Sequence, residues 1–243
     1  QANRKKNSYD SWVYMMDLQT KEVRKLTSFG AEANLIFDGE RTVLFSSERF
    51  PEDQAEKGKE KTVFYRLSTS GGEAERAFEL PFQVDSLKKI SADCYAFTAV
   101  VDLNQPEDEE ELAEYQDYHI LEELPYWENG AYFVSRHRRS LFVFKEHEET
   151  EKRIQKVTSD LFGVDGFQVN GQKLIYTGAS YDSLMPKTRG LFSWDIQTGK
   201  EQVLVDQDQM TIGLFASVNE EIWFAGSKME QYGSNQDPDI YRW

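Results

Sequence analysis

Cysteine is almost absent from this chain of 243 residues, which contains Cys94 alone. A single thiol cannot form a disulfide within the chain, and it cannot supply a cysteine-rich metal cluster. Because Cys94 directly precedes an apolar stretch, we expect it to be an inert core thiol. The scarcity of cysteine is compatible with a reducing compartment, and we expect a cytoplasmic protein.

Positive charge and long apolar runs are scarce as well. The chain has 28 lysines and arginines against 43 aspartates and glutamates, which gives a formal net charge of −15. Such a surface repels phosphate backbones, so we expect no nucleic-acid partner. No apolar run approaches the roughly 20 residues of a membrane span, and we expect neither a signal peptide nor a membrane partner.

The chain does contain an internal repeat. Four apolar stretches align with one another at residues 42–49, 95–102, 173–180 and 221–228. Aromatic residues of the strands beside them recur at intervals of 51, 77, 50 and 49 residues; they are Tyr14, Tyr65, Phe142, Phe192 and Tyr241. A period of about 40–50 residues with several short strands per unit is typical of a β-propeller. A single blade cannot bury both faces of its sheet, so blades stack radially and share the burial.

The repeat therefore predicts an all-β fold, a β-propeller of four-stranded antiparallel blades. The expected inner strands are Ala33–Phe37, Val84–Ile90, Val164–Val169 and Thr211–Val218. Tight turns should follow them at Asp38-Gly39, Ala92-Asp93, Asn170-Gly171 and Asn219-Glu220. Asp-Gly and Asn-Gly favour such turns because both central residues of a type I′ turn need positive φ.

The spacing also predicts the domain organisation. We expect 1–243 to be a single fragment of a propeller, a partial ring from a longer protein, with blade units at about 1–28, 29–80, 81–159, 160–206 and 207–243. The long interval of 77 residues is explained by an insertion at 103–139. A helix is expected near 104–124, because Asn104 can cap it, Pro106 suits its first turn and acidic residues at 107–111 favour the positive end of its dipole.

The insertion and one hairpin resemble a known family. The relevant segments are residues 120–130, residues 138–144, residues 154–159 and residues 17–27. They are similar to the propeller of the prolyl oligopeptidase family of serine peptidases, in particular the acylaminoacyl-peptidase branch, with dipeptidyl-peptidases in the wider family. The resemblance implies a seven-bladed propeller fused to a C-terminal α/β-hydrolase domain that lies outside this segment. It also implies that the propeller filters peptide substrates by size, with that hydrolase domain and a peptide as partners. A homo-oligomer is possible.

Residues for catalysis are not found in this segment. A nucleophile elbow needs Gly-x-Ser-x-Gly, and the nearest match, Gly178-Ala179-Ser180-Tyr181-Asp182, lacks the second glycine. His147 does not complete a His-Glu-x-x-His zinc motif, and the sequence from Asp206 fails as a calcium loop. We therefore expect no catalytic residue, no metal and no cofactor here.

Five residues of the insertion are candidates for contact with substrate: Glu122, Glu123, Tyr126, Trp127 and Arg138. A glutamate pair can hold a peptide's amino terminus through charge-assisted hydrogen bonds, as the dipeptidyl-peptidase branch implies, or it can be a solvated acidic surface, as Glu109-Glu110-Glu111 can be. Arg136, Arg138 and Arg139 could line a rim or form ion pairs with nearby carboxylates. Tyr126 and Trp127 could contact substrate, contact a hydrolase domain or pack on their own blade.

Two functions follow from these patterns. The first is the non-catalytic propeller of a serine peptidase, which gates peptide access to a hydrolase domain elsewhere. The alternative is a stand-alone propeller that works as a binding or scaffold module without peptidase activity, because a fold alone does not decide function. Whether the parent protein is an enzyme depends on sequence outside this segment.

Overall fold

The computed structural model describes residues 2–4, 8–56, 59–106, 108–115, 117–219 and 221–243. The chain divides into two compact units, Gln1–Phe97 and Thr98–Trp243. The boundary falls inside the strand Cys94–Asp102. Glu107 and Glu220, which belong to the predicted helix start and the predicted fourth turn, lie outside the described residues.

The described elements are almost all strands. The first unit contains β1 (Ala2–Asn3), β2 (Ser8–Tyr9), β3 (Tyr14–Met16), β4 (Val23–Lys25), β5 (Ala33–Gly39), β6 (Thr42–Ser46), a 3-10 helix (Pro51–Asp53), β7 (Thr62–Ser68), β8 (Glu75–Leu80), β9 (Val84–Lys89) and the start of β10 (Cys94–Asp102). The second contains the rest of β10, α1 (Glu109–Tyr115), β11 (Trp127–Glu128), β12 (Tyr132–Phe133), β13 (His137–Lys145), a 3-10 helix (Thr150–Lys152), β14 (Ile154–Lys156), β15 (Phe162–Asn170), β16 (Lys173–Ser180), β17 (Gly190–Asp195), β18 (Glu201–Val205), β19 (Thr211–Val218), β20 (Glu221–Ser227), a 3-10 helix (Gly233–Asn235) and β21 (Asp239–Arg242).

Three sheets of the described residues have four strands each: β5 to β8, the sheet that contains β9, β10, β13 and β14, and β15 to β18. The pairings within β5 to β8 and within β15 to β18 are antiparallel and follow chain order. No described sheet closes on itself. The predicted all-β fold with four-stranded antiparallel blades is confirmed, while the five unit boundaries and the insertion bounds stay predictions.

Three of the five repeated aromatics, Tyr65, Phe192 and Tyr241, belong to cross-strand ring pairs. Directly opposite one another stand Phe45 and Tyr65, Tyr176 and Phe192, and Phe224 and Tyr241. Their rings stack at centroid distances of 6.4, 5.5 and 5.2 Å, respectively. Such pairs stabilise a sheet beyond simple burial. For Tyr65, Phe192 and Tyr241, the repeat seen in the sequence therefore marks equivalent ring pairs in three sheets.

In the second unit, the sheets β15–β18 and β19–β21 pack face to face. They share an apolar cluster made of Ile175, Leu191, Val205, Met210, Ile212, Ile222 and Phe224. The side-chain amide of Gln168 links their first strands, since its Nε2 donates to the Phe215 carbonyl at 2.8 Å and its Oε1 accepts from the Ser217 amide at 2.9 Å. The Gln168 amide thus gives the backbone of β19 hydrogen bonds of the kind that a neighbouring strand gives within a sheet.

One glycine shows how closely β15 and β16 approach. A Cβ on Gly178 would lie 2.1 Å from the Gly163 carbonyl oxygen and 2.6 Å from the ring of Phe162. No side chain fits at such a distance, so this strand position requires glycine. Gly178 belongs to the segment that partly resembles a nucleophile elbow, and its role here is structural.

The insertion is less helical than the sequence predicts. Helix α1 covers only Glu109–Tyr115, and the later part of the insertion forms the hairpin β11–β12. Asn104 does not cap the helix. The cap is Asp108, whose Oδ1 accepts from the amides of Glu110 and Glu111 at 2.9 and 3.2 Å. These are the second and third helical amides, which an N-cap side chain normally satisfies.

The first predicted turn is also displaced. Strand β5 includes both Asp38 and Gly39, and Gly39 pairs with Thr42 of β6. The turn therefore lies at residues 40–41. Asp38 does not form the turn. Its side chain is only 5% exposed and accepts hydrogen bonds. Its carboxylate accepts from Arg66 Nε at 2.6 Å, Lys89 Nζ at 2.6 Å and the Tyr95 hydroxyl at 2.7 Å. Asp38 therefore joins three other strands of the first unit.

This carboxylate should make the stability of the fold depend on pH. Burial would raise the pKa of Asp38, but the hydrogen bonds from Lys89, Arg66 and Tyr95 outweigh burial and hold that pKa below its ordinary value. A carboxylate with a lowered folded-state pKa stabilises the fold above its unfolded-state pKa. The contribution is lost as the pH falls through the folded-state value.

We predict that Asp38→Asn lowers the free energy of unfolding by about 1–3 kcal/mol at neutral pH, because buried donors lose their charged acceptor. The difference from the wild type should shrink below about pH 4, where the unfolded-state aspartate becomes protonated. Urea unfolding at several pH values measures both effects. Asp93→Asn, at an exposed turn position of the same unit, is the control. Equal unfolding midpoints for the two variants at neutral pH would contradict the prediction.

Candidate functional site

The insertion is held by a buried ion pair between Arg138 and Glu123. Their side chains are 0% and 1% exposed. Arg138 Nη1 donates to Glu123 Oε2 at 2.9 Å, and Nη2 donates to Oε1. The remaining guanidinium donors reach the carbonyls of Leu161, His137 and Tyr181 at 3.1, 3.1 and 2.9 Å, so every N–H of the group is used. A buried pair is tolerated only when it is satisfied in this way.

Arg136 adds a second, more exposed layer to the same network. Its amide donates to Glu123 Oε2 at 2.9 Å. Its guanidinium bonds Glu122 Oε2 at 3.0 Å and Asp182 Oδ1 at 2.6 Å. The residue has a positive φ of 61°, a conformation that costs a non-glycine residue energy. The three contacts compensate for that cost.

Backbone pairing completes the attachment of the insertion to the loop between β16 and β17. The amide of Leu124 donates to the Ser183 carbonyl at 2.8 Å, and the amide of Met185 donates to the Leu124 carbonyl at 2.9 Å. The ring of Tyr181, in the same loop, lies 3.7 Å from the Arg138 guanidinium carbon. Charge, stacking and backbone bonds thus fix the insertion to one loop of its own unit.

The hairpin β11–β12 presents an aromatic surface. Trp127 packs edge-on against Tyr132 and Phe133, with centroid distances of 5.5 and 5.1 Å. The ring of Phe133 also stacks on the imidazole of His119, at a centroid distance of 4.0 Å. Trp127 and Tyr126 nevertheless remain 45% and 46% exposed. Trp127 packs on its own hairpin, and the side chains of both residues are open to solvent.

The carboxylate of Asp102 anchors helix α1. The Tyr115 hydroxyl donates to Asp102 Oδ2 at 2.8 Å, and burial followed by this bond raises the pKa of Tyr115. Asp102 Oδ2 also lies 3.8 Å from His137 Nε2, while His137 Nδ1 lies 2.9 Å from the Ser135 carbonyl and donates to it in that tautomer. Asp102 therefore connects the start of the insertion to its end.

The structure brings the five predicted site residues into two groups. Glu122, Glu123 and Arg138 share one ionic network, and Tyr126 and Trp127 belong to the adjoining hairpin. Glu123 and Arg138 satisfy one another, so the glutamate pair does not present two open carboxylates. The ion pairs that the sequence offered as one alternative for the arginines are present for Arg136 and Arg138. The substrate-binding role of the five residues stays a prediction.

Sequence reasoning missed Tyr181 and Asp182 as members of this network. They stand about 45 residues from Arg136 and Arg138 in the chain. No local pattern marks them, because their role comes from the approach of one loop to another.

The described residues include no group of three or more His, Cys, Asp or Glu side chains that could hold a metal ion. Ser180, in the partial elbow motif, ends strand β16, and its backbone is bonded to the Gln207 side chain at 2.8 and 3.1 Å. Among the same residues, no helix is long and apolar enough to cross a membrane.

Comparison with known proteins gives the fold. No family model and no curated protein sequence matches the chain. An acylaminoacyl peptidase from Pyrococcus horikoshii, in its orthorhombic crystal form, aligns over 100% of this chain and 35% of its own, with 13% identity and a TM-score of 0.69. The β-propeller domain of the Trilobed protease from Pyrococcus furiosus, which has an open velcro topology, aligns over 100% of this chain and 61% of its own, with 15% identity and a TM-score of 0.57.

A third solved structure comes from another class of enzyme. An oligogalacturonate lyase in complex with manganese aligns over 96% of this chain and 56% of its own, with 14% identity and a TM-score of 0.54. The chain thus spans 35% of the acylaminoacyl peptidase and less than two thirds of the other two. These likenesses show that the sheets have the β-propeller fold. They do not assign an activity.

We predict that Glu123→Gln lowers the free energy of unfolding by about 3–5 kcal/mol, because it leaves the Arg138 charge buried without its partner. Thermal or urea unfolding measures the loss. The neighbouring Glu122→Gln removes the same charge from a side chain that is 49% exposed, and it should cost no more than about 1 kcal/mol. Similar losses for the two variants would show that the buried pair does not hold the insertion.

Proposed function

We propose that this chain is the non-catalytic propeller of a serine peptidase of the prolyl oligopeptidase family. In this proposal it controls the access of peptides to a hydrolase domain elsewhere in the same polypeptide. The observation that carries the proposal is the alignment of the whole chain with 35% of an acylaminoacyl peptidase. The insertion segment that resembles that family supports it independently of the fold.

The geometry of the insertion fits a gate with a fixed shape. Glu123 and Arg138 hold the segment that precedes the aromatic hairpin, and Trp127 and Tyr126 are exposed on that hairpin. A rigid rim selects by size without spending energy on ordering itself for each substrate. A cytoplasmic location and a homo-oligomer remain predictions that belong to this proposal.

The alternative is a propeller that binds a partner without an attached peptidase. The likeness to an oligogalacturonate lyase supports this alternative, because it shows that a protein with this fold need not belong to a peptidase. The two proposals differ in whether a reactive serine is present in the polypeptide that contains this chain.

Labelling with a fluorophosphonate probe separates the two. We expect the chain of 243 residues to remain unlabelled and to hydrolyse no peptide or ester, since acyl transfer needs an activated serine with a base. We expect the product of the complete open reading frame to be labelled on one serine outside this segment. Labelling of the chain alone would refute a non-catalytic role, and an unlabelled complete product would favour the binding module.

The gating role predicts a substrate-dependent effect of Trp127→Ala in the complete protein. We expect kcat/KM for an acylated hexapeptide to change by about threefold to tenfold, as for the loss of one aromatic contact. The rate with p-nitrophenyl acetate should be unchanged, because a small ester does not need the rim. Trp223→Ala is the matched control, since Trp223 is 43% exposed and belongs to β20. Equal effects on both substrates would argue against gating.

A further inference from the structure

Two asparagines of the second unit are followed directly by glycine, and the structure places them in different surroundings. Asn129 and Gly130 belong to the turn of the hairpin β11–β12. Asn170 ends strand β15, and Gly171 begins the tight turn to β16. Asparagine is a chemically labile residue, and it reacts most readily before glycine, which has no side chain to shield its backbone nitrogen.

Loss of the asparagine amide needs only the chain and water. The backbone nitrogen of the glycine attacks Cγ of the asparagine, and a carbon–nitrogen bond forms. The bond from Cγ to Nδ2 then breaks, and Nδ2 leaves as ammonia with the proton that the backbone nitrogen gives up. Water opens the resulting cyclic imide at either carbonyl, which leaves aspartate or isoaspartate. The sequence therefore offers two places for this reaction, and their environments decide between them.

Asn129 is free to react. Asn129 and Gly130 are both exposed. Within the described part of the chain, the side-chain amide of Asn129 makes no hydrogen bond, and neither does the backbone N–H of Gly130. A Cβ placed on Gly130, whose φ is +86°, would meet nothing within 4 Å. The Asn129 side chain can therefore rotate toward the following nitrogen without breaking a contact.

Asn170 is restrained by a neighbouring sheet. Its Nδ2 donates to Ser217 Oγ of β19 at 2.5 Å. The residue is half-buried, and its backbone pairs with Lys173 across the turn. Attack by Gly171 would first have to break the bond to Ser217, and a hydrogen bond of ordinary net strength slows such a step by about threefold to tenfold.

The turn at Asn129 adjoins a cavity of about 420 Å³ beside the insertion. The neighbouring residues Glu128 and Ala131 line this cavity, together with Phe133 of the hairpin and Tyr181 of the loop that holds the insertion. Both products add a negative charge next to Glu128. Isoaspartate also adds a carbon to the backbone between Glu128 and Ala131, whose amide donates to the Glu128 carbonyl at 3.3 Å. The reaction would therefore change both the charge and the shape of this wall.

We propose that Asn129 is a site of spontaneous deamidation, which converts it to aspartate and isoaspartate while Asn170 stays intact. The isoaspartate form loosens the pairing of β11 with β12, because the backbone then passes through the side-chain carbon. The hairpin that exposes Trp127 thus changes with the age of the protein. Only the consequence for peptide access rests on the proposed function.

Peptide mapping by mass spectrometry tests the assignment on the chain of 243 residues. After incubation in warm, mildly alkaline buffer, we expect Asn129 to be converted about threefold to tenfold faster than Asn170, as for one restraining hydrogen bond. In concentrated urea the two rates should become similar, because the contact of Asn170 with Ser217 is lost. Equal rates in the folded chain, an intact Asn129, or a difference that persists in urea would overturn the proposal.

Ser217→Ala tests the cause of the protection. The variant removes the acceptor of Asn170, while the Ser217 backbone amide keeps its bond to Gln168, so it should fold. We expect Asn170 to be converted about threefold to tenfold faster than in the wild type, with no change at Asn129. An unchanged rate at Asn170 in a folded variant would refute the protective role of this hydrogen bond.

Asn129→Gln is the matched control for the effect on the hairpin. It keeps the amide, but its longer side chain closes a larger ring far more slowly. The Val134 amide, which donates to the Tyr126 carbonyl at 3.0 Å, should exchange its hydrogen faster in the aged wild type than in the aged variant. Equal exchange would show that the conversion leaves the hairpin unchanged. Either failure leaves the peptidase proposal standing, because fluorophosphonate labelling of the complete protein tests that separately.

Discussion

The second unit depends on the charge of Arg138 being fully satisfied away from water. A guanidinium with no exposed surface is one of the costliest groups that a small sheet protein can bury, and it is stable only with a carboxylate and carbonyl partners in place. Glu123 supplies that carboxylate from a segment that has little regular structure of its own. The requirement of one buried charge thus gives a fixed position to a segment that would otherwise be a long loop.

The part of the fold that follows from the sequence is the part set by short-range pattern. Burial of β6, β7 and β16 produces continuous apolar runs, and the cross-strand ring pairs produce the repeated aromatics, so both were readable without coordinates. The helix length and the first turn were not. Asn104 and Asp108 are both suited to cap a helix, and the local amides of Glu110 and Glu111 are bonded by Asp108. For Asp38, tertiary partners on three other strands decide that the side chain is buried.

The sequence predicted the residues that the insertion contributes to the candidate site, but not the residues that the facing loop contributes. The arginines stood out as a cluster in an otherwise acidic chain, and Glu122 and Glu123 because they adjoin an apolar and aromatic stretch. Ion pairing was one of the two interpretations that the sequence allowed for the arginines. Tyr181 and Asp182 could not be found, since they act across a gap of more than 40 residues. The likeness in fold to peptidases and to a lyase adds no residue-level information, because at 13–15% identity it describes the backbone.

Tyr181 connects the structural and the functional arguments. One face of its ring covers the Arg138 guanidinium, and the residue also forms part of the cavity wall. Burial raises the pKa of Tyr181, so its hydroxyl stays neutral over the physiological range. Any change that loosens the ion pair must also move this wall. The cavity wall is therefore linked through Tyr181 to a buried charge pair that does not itself line the cavity.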